Sequence, residues 1–200
     1  MEKVTFAPQT YAAADAWIQT YTGIAFPILN PTPDYIDITD IAHALSNLCR
    51  FAGHTRRFYS VAQHSILVSK IVPPEFALEG LMHDAPEAYV VDLPRPLKHS
   101  GMVDGYHEIE GRVWASIAKK YDLAYVLPKC VKEADTIMLL TEQRDLMGRQ
   151  AKPWADKATP LDATILPCPP EAAKERFIAR FTKLMRERKQ TLEQTQRKAA

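Results

Sequence analysis

Apolar residues recur at helical spacing along most of the chain beyond residue 36. In the segment 37–51, Ile41 and Leu45 fall on one stripe, and either Asp37 or Thr39 can cap the first turn by accepting a backbone N–H. The pattern therefore predicts a helix that turns one face toward a core.

Two helices are predicted next, and both carry residues that can bind a metal. The segment 60–72 places His64 on its apolar face, and two consecutive prolines end it, since proline cannot donate a backbone hydrogen bond. The following helix starts near Glu75 and is apolar almost all round, which places it at the centre of the fold. It carries His83 and Asp84 at the end of its apolar run.

The second half of the chain predicts three more helical segments. One runs over 103–121, and another starts near Pro128 and has Asp135 and Met138 on one face. A proline-rich loop separates these from a last helix over 171–195, whose charged end is expected to fray.

The predicted fold is all-α, a single helical bundle with a short irregular or strand-containing segment at its N-terminus. The predicted parts are an N-terminal irregular or hairpin segment over 1–36, a core over 37–150, and a proline-rich loop with a C-terminal helix or tail over 151–200.

Composition narrows the class of protein without assigning an activity. The chain has 200 residues with 46% apolar and 24% charged residues, which is ordinary for a globular domain. A net charge of +1 gives no case for a nucleic-acid polymer or a membrane as partner. Three cysteines without a CxxC pair favour a reducing compartment. With no signal peptide and no long apolar run, the sequence predicts a soluble, cytoplasmic protein.

Three predicted helices each bring ligand-type side chains to an inward face: His64, His83 with Asp84, and Asp135. A buried imidazole or carboxylate without a partner costs several kcal/mol. Singly, each has an ordinary explanation, such as a hydrogen-bonded core histidine or a surface acid. Together they predict a site for one divalent transition metal, with Mn, Co or Zn as candidates and coordination positions left for water and substrate oxygens.

The order H…HD…D, with HD closing an apolar run, resembles the HD-domain superfamily of metal-dependent phosphohydrolases. Four sequence motifs are similar to those of bacterial 5'-deoxynucleotidases and of related phage and prophage phosphohydrolases. They are AQHS at 62–65, MHDAPEA at 82–88, DLPRPLK at 92–98 and KEAD at 132–135. The resemblance covers roughly residues 17–147. It implies that the core is an HD phosphohydrolase domain and that the four ligand-type residues bind its metal.

The resemblance also implies roles for the acids beside the metal ligands. Glu87 would orient or deprotonate the attacking water, and Asp92 would act near the leaving oxygen or bind the sugar. Pro86 lies inside the predicted helix, and a bend there would turn Glu87 away from the face of His83.

Substrate contacts are expected from four further residues. Arg50 and Phe51 match an Arg–aromatic pair that meets phosphate and nucleobase in the family, whereas the ordinary alternative for Arg50 is a solvated helix end. Arg95 and Lys98 are further candidates for phosphate binding. The additional histidine motifs of two-metal HD phosphodiesterases are not matched, which leaves one metal ion as the prediction.

The function expected from this resemblance is hydrolysis of deoxynucleotide phosphate esters in a bacterial or phage-infected cytosol. A 5'-deoxynucleotidase would release phosphate from a deoxynucleoside monophosphate, whereas the phage-type alternative would release triphosphate from a dNTP such as dATP. A non-catalytic nucleotide-binding HD module and a purely structural metal site are the alternatives of other classes. Relatives of this kind form dimers or rings, so a homo-oligomer is expected.

Overall fold

The structure is a computed structural model that describes residues 16–199, with side chains described up to Arg197. The predicted N-terminal segment before residue 16 lies outside the described residues. About 60% of the described residues are helical and 4% are strand. The expected mostly helical fold with a small strand-containing segment near the N-terminus is confirmed.

Two short antiparallel strands and eight α-helices follow one another in the described part of the chain. They are β1 (Trp17–Gln19), β2 (Ala25–Pro27), α1 (Ile38–Asn47), α2 (Val61–Ile71), α3 (Ala77–Met82), α4 (Glu87–Val90), α5 (Arg95–Lys98), α6 (Asp104–Tyr121), α7 (Lys129–Leu146) and α8 (Pro170–Ala199). Residues 147–169, between α7 and α8, contain no helix or strand.

One aspartate caps α1, and a second fastens the β-hairpin to it. Asp37 caps the helix, its side chain accepting the N–H of Thr39 at 2.6 Å, as the sequence predicts. Asp40, one turn later, is buried and accepts both the N–H and the hydroxyl of Thr22, at 2.7 and 2.8 Å. The hairpin turn is therefore held to the first helix by charged hydrogen bonds.

The core forms around α2, which packs against α1, α3, α7 and α8. Every residue of α3 is buried, in agreement with its apolar sequence. The helix α8 places Phe177, Phe181 and Leu184 on the core, and its charged end extends to Ala199. Pairs at i,i+4 such as Lys189–Glu193 stabilise that exposed part. None of the described helices is long and apolar enough to span a membrane.

A tight turn over 83–86 interrupts the predicted central helix. Pro86 has no N–H to bond to the carbonyl of Met82, and Ala85 and Glu87 instead donate to carbonyls three residues back, at 2.9 and 3.0 Å. The His–Asp pair thus lies in the turn between α3 and α4, and the prediction that one continuous helix carries it is wrong.

Candidate metal centre

The candidate ligands come from three elements that pack together. His64 lies in the middle of α2 and is fully buried, His83 and Asp84 lie in the turn after α3, and Asp135 lies in the second turn of α7. Since α2 contacts both α3 and α7, the helix packing itself brings the four side chains to one place.

The ligand atoms converge closely. The Nε2 atoms of His64 and His83 lie 3.3 Å apart, and Oδ2 of Asp84 lies 3.5 and 3.2 Å from them. One ligand atom from each of these three residues falls within a 4.8 Å cluster, so the group can hold a metal ion. Asp135 adjoins it, with Oδ1 3.2 Å from Nε2 of His64.

Both imidazoles are oriented by a partner on the opposite ring nitrogen. Nδ1 of His83 lies 2.9 Å from the carbonyl of Gly80, and Nδ1 of His64 lies 2.6 Å from Oε1 of Glu142. A carbonyl or carboxylate oxygen only accepts, so Nδ1 carries the proton in each ring. The Nε2 atom of each ring faces the cluster, where a neutral ring would offer its lone pair to a metal ion.

The ionisation of the ligands follows from their mutual contacts. Burial alone would raise the pKa of Asp84, but His83, His64 and Arg50 hold that pKa well below its usual range. Burial also raises the pKa of Asp135, but the hydrogen bond to His64 and the charges of His64 and His83 together hold that pKa below its usual range. For His64, burial and Arg50 lower the pKa, yet Glu142 and Asp135 raise it to about 9. Both aspartates are therefore ionised and available to a cation.

Asp84 and Asp135 form part of the wall of a cavity of about 160 Å³, and most of the other predicted residues also line it. Its lining consists of Arg50, Phe51, Ala52, Asp84, Glu87, Asp92, Leu93, Pro94, Arg95, Lys98, Asp135 and Leu139. A second cavity of about 420 Å³ adjoins it and shares Asp84, Lys98 and Asp135. Of the ten site residues predicted from the sequence, His64 alone lines neither cavity. It contacts the other three proposed ligands, His83, Asp84 and Asp135.

Glu87 faces the first cavity despite the turn at Pro86. It is 5% exposed, and its Oε2 atom is buried without a hydrogen-bond partner among the described residues. Its Oε1 lies 3.6 Å from Nζ of Lys98. Burial, then Asp84 and Asp92, raise the pKa of Glu87 well above its usual value. Such a carboxyl group is suited to take up a proton from a neighbouring water.

Arg50 does not lie at a solvated helix end; that alternative is wrong. Its side chain is buried, with Nε donating to Oε2 of Glu142 at 3.1 Å and Nη1 to Oδ2 of Asp84 at 3.4 Å. Phe51 follows with a left-handed backbone (φ 55°) and has its ring in the cavity wall and 5.9 Å from that of Trp154. Two adjacent residues thus supply one charged and one aromatic surface.

The remaining predicted basic residues are already paired with acids. Arg95 donates to Asp135 at 3.1 Å and to Asp156 at 3.0 Å. Nζ of Lys98 lies 2.7 Å from Oε1 of Glu110. Asp92 is partly buried beside them, and burial raises its pKa. A phosphate entering the cavity would compete with these carboxylates for the same donors.

Sequence reasoning missed Glu142 and Tyr59. Glu142 is fully buried on α7, two turns after Asp135, and accepts a hydrogen bond from the Tyr59 hydroxyl at 2.8 Å as well as its contacts to His64 and Arg50. The available signal was the seven-residue spacing from Asp135, which puts both acids on one helix face.

A strained residue precedes Asp92 at the cavity edge. Val91 has φ 63° and ψ 162°, a region that costs a β-branched residue about 1–3 kcal/mol, and its carbonyl accepts the Tyr106 hydroxyl at 2.7 Å. Glycine adopts this region freely but costs about 0.5–1 kcal/mol of chain entropy. Val91 is half exposed, so its replacement by glycine removes little buried apolar surface.

Val91→Gly is therefore expected to raise the free energy of unfolding by about 1 kcal/mol, measured by urea denaturation. Val90→Gly, the matched control in α4, should lower it by about the same amount or more. Equal destabilisation by both variants would show that Val91 carries no strain.

Comparison with known proteins finds relatives over nearly the whole chain. It is 44% identical over 178 residues to the uncharacterised protein YfdR of Escherichia coli K12, covering 87% of this chain and 98% of YfdR. It is 34% identical over 146 residues to an uncharacterised protein of Rhodobacter capsulatus, covering 66% of this chain and 74% of that protein. No model of a known protein family matches the chain.

Proposed function

The chain belongs to the family of Escherichia coli YfdR, and we propose that it is an HD-domain, metal-dependent phosphohydrolase that releases phosphate from deoxynucleoside 5'-monophosphates. The observation that carries the proposal is the convergence of His64, His83 and Asp84, since Asp84 lines a cavity together with Asp135 and Glu87. Two of the proposed ligands and an acid with an unpartnered oxygen thus belong to the lining of one cavity.

The donor set fits a divalent cation. Asp84 and Asp135 are ionised, the imidazoles present Nε2, and four carboxylates line the first cavity against three cationic side chains. Glu142, which lies outside the cavity lining, already neutralises the charge of Arg50. The carboxylates of the first cavity therefore leave an excess of negative charge for a cation to neutralise. A bound divalent ion would polarise the phosphoryl oxygens and lower the pKa of its water.

The protein side chains then divide the remaining chemistry. Glu87 takes the proton from the attacking water, because it lines the cavity, its Oε2 has no partner among the described residues, and its raised pKa favours proton uptake. Asp92, whose pKa is also raised, lies on the same wall and serves the leaving oxygen or the sugar. Arg95 and Lys98 balance the phosphate charge, and Phe51 offers an aromatic surface to the base.

The monophosphate is favoured by where the basic residues lie. Arg50, Arg95 and Lys98 all surround the first cavity, close to the proposed metal, where one phosphate group would sit. Arg56 and Arg57, the basic residues that follow Arg50 in the sequence, line neither cavity, and Arg56 donates instead to the backbone carbonyl of Asp145.

The second candidate function, hydrolysis of a dNTP with release of triphosphate, is favoured by the second cavity. Its lining includes Lys129, Lys132 and His107 on the far side of Asp84 and Asp135. A chain of phosphates could extend there from a phosphorus held at the metal centre. Glu110 and the two aspartates line the same space and oppose an anion, which is why this function ranks second.

Product analysis distinguishes the two functions and the non-catalytic alternative. Protein stripped of metal and reloaded with Mn²⁺ or Co²⁺ is incubated with dAMP and, separately, with dATP, and the products are resolved by ion-exchange chromatography. We expect deoxyadenosine and orthophosphate from dAMP, and nothing from the stripped protein. Deoxyadenosine and triphosphate from dATP would instead support the second function. Binding of both nucleotides without turnover would contradict both and favour a nucleotide-binding module.

A further inference from the structure

We propose that Glu142 is a positioning residue of the metal centre: one of its oxygens fixes which nitrogen of His64 faces the ligand cluster, and the other binds Arg50 and limits how strongly its guanidinium pairs with the ligand carboxylates. The inference rests on the proposed metal-dependent function and concerns a side chain outside the cavity lining. It assigns a separate task to each oxygen of one buried carboxylate.

The first task belongs to Oε1. It accepts the Nδ1–H of His64 at 2.6 Å and the Tyr59 hydroxyl at 2.8 Å. An ionised carboxylate cannot donate, so the neutral form of His64 carries its proton on Nδ1 and turns the lone pair of Nε2 toward Asp84 and Asp135. Were that acceptor exchanged for a donor, the ring would have to protonate Nε2 and lose its ability to coordinate.

The second task belongs to Oε2, which accepts from Nε of Arg50 at 3.1 Å. The other guanidinium nitrogens point at the ligands, with Nη1 3.4 Å from Oδ2 of Asp84 and Nη2 4.0 Å from Oδ1 of Asp135. Arg50 therefore competes with a cation for both aspartates. The contact to Glu142 limits how strongly the guanidinium pairs with them by compensating its charge from the opposite side.

Burial makes this arrangement hard to replace. Glu142, His64 and Tyr59 have no exposed surface, and Arg50 is 8% exposed. Water therefore cannot take over the hydrogen bonds if a partner is removed. A merely structural ion pair between α2 and α7 would also be buried, so protein stability alone cannot reveal the positioning role.

Glu142→Gln tests both tasks with the same side-chain shape. If the amide oxygen stays at the Oε1 position, His64 keeps its acceptor but the NH₂ group faces the Nε–H of Arg50, which releases Arg50 toward the aspartates. If the amide takes the opposite orientation, its NH₂ group faces Nδ1 of His64 and drives the proton to Nε2. Either arrangement weakens metal binding, and we expect the Kd to rise about 10–100-fold.

The experiment titrates Co²⁺ into metal-stripped wild type, Glu142→Gln and Thr141→Val by calorimetry. Thr141 precedes Glu142, is equally buried and hydrogen-bonds Leu161, so its variant perturbs α7 without touching His64 or Arg50. We expect both variants to lower the Tm and only Glu142→Gln to weaken Co²⁺ binding. An unchanged Kd for Glu142→Gln would reduce the residue to a structural role.

A second measurement needs no variant to fold. Long-range ¹H–¹⁵N correlation spectra of the Zn²⁺-loaded wild type report the protonated nitrogen of His64, which should be Nδ1. A proton on Nε2 would overturn the inference. Failure of the proposed function looks different, since metal-loaded wild type would then leave dAMP intact whatever the Kd of Glu142→Gln for Co²⁺.

Discussion

Asp84→Asn is expected to remove the metal from the centre and to lower phosphate-ester hydrolysis by more than about 10³-fold, because the ion and its electrostatic contribution are lost together. Asp84 is the residue whose carboxylate lies within 3.5 Å of both candidate imidazoles. The neutral amide keeps the shape but not the charge. Metal content by mass spectrometry and release of phosphate from dAMP are measured on the same preparation.

The matched control for this experiment is Asp156→Asn. Asp156 also carries a carboxylate beside the first cavity, but it pairs with Arg95 and touches none of the three clustered ligands. Its variant should retain the metal of the wild type. An Asp84→Asn protein that holds a full complement of metal and turns over dAMP at the normal rate would place the centre elsewhere.

Glu87→Gln is expected to lower turnover by about 10²–10⁴-fold, the usual contribution of a positioned general base, while the protein still binds metal and nucleotide. Glu87 is not among the clustered ligands, yet its Oε2 is buried beside them without a partner. The amide cannot accept the proton of water. Single-turnover rates measure the first effect, and calorimetric titration with Mn²⁺ and dAMP measures the second.

Glu79→Gln is the control, since Glu79 is 8% exposed in the neighbouring helix α3 and lines neither site cavity. It should reproduce any general effect of neutralising a buried glutamate but not the loss of turnover. Normal turnover by Glu87→Gln would leave Asp92 as the acid that takes the proton. Binding of dAMP without hydrolysis by wild type and variant alike would identify a nucleotide-binding module.

The mostly helical fold and the clustering of the candidate ligands follow from sequence periodicity. His64 and Asp135 share helix faces with apolar residues, so packing of α2 against α7 had to bring them inward. The His–Asp pair ends an all-apolar segment, which had to be central for the same reason. Local spacing and burial therefore predict which residues meet.

Contacts between distant parts of the chain are not encoded in such spacing. Glu142 looks like an ordinary acid on a mixed helix until Tyr59, His64 and Arg50 are placed around it. The burial of Arg50 depends on that same partner, so its position could not be anticipated either. Pro86 was recognisable in the sequence as a residue that interrupts a helix. Whether the side chain of Glu87 then lines the cavity depends on the packing of α4, which residue spacing does not predict.

The packing of α8 on α1 has a consequence for how the protein is made. The helix α1 ends at Asn47, α8 begins at Pro170, and the two helices pack on each other. The residues of the candidate site are therefore synthesised after α1 and before α8. A chain emerging from the ribosome can pair α2, α3 and α7 before α8 exists, while Ile41 and Leu45 still lack the cover that α8 provides. Nascent chains should therefore assemble the ligand cluster early and stay vulnerable to chaperone capture at α1 until α8 docks.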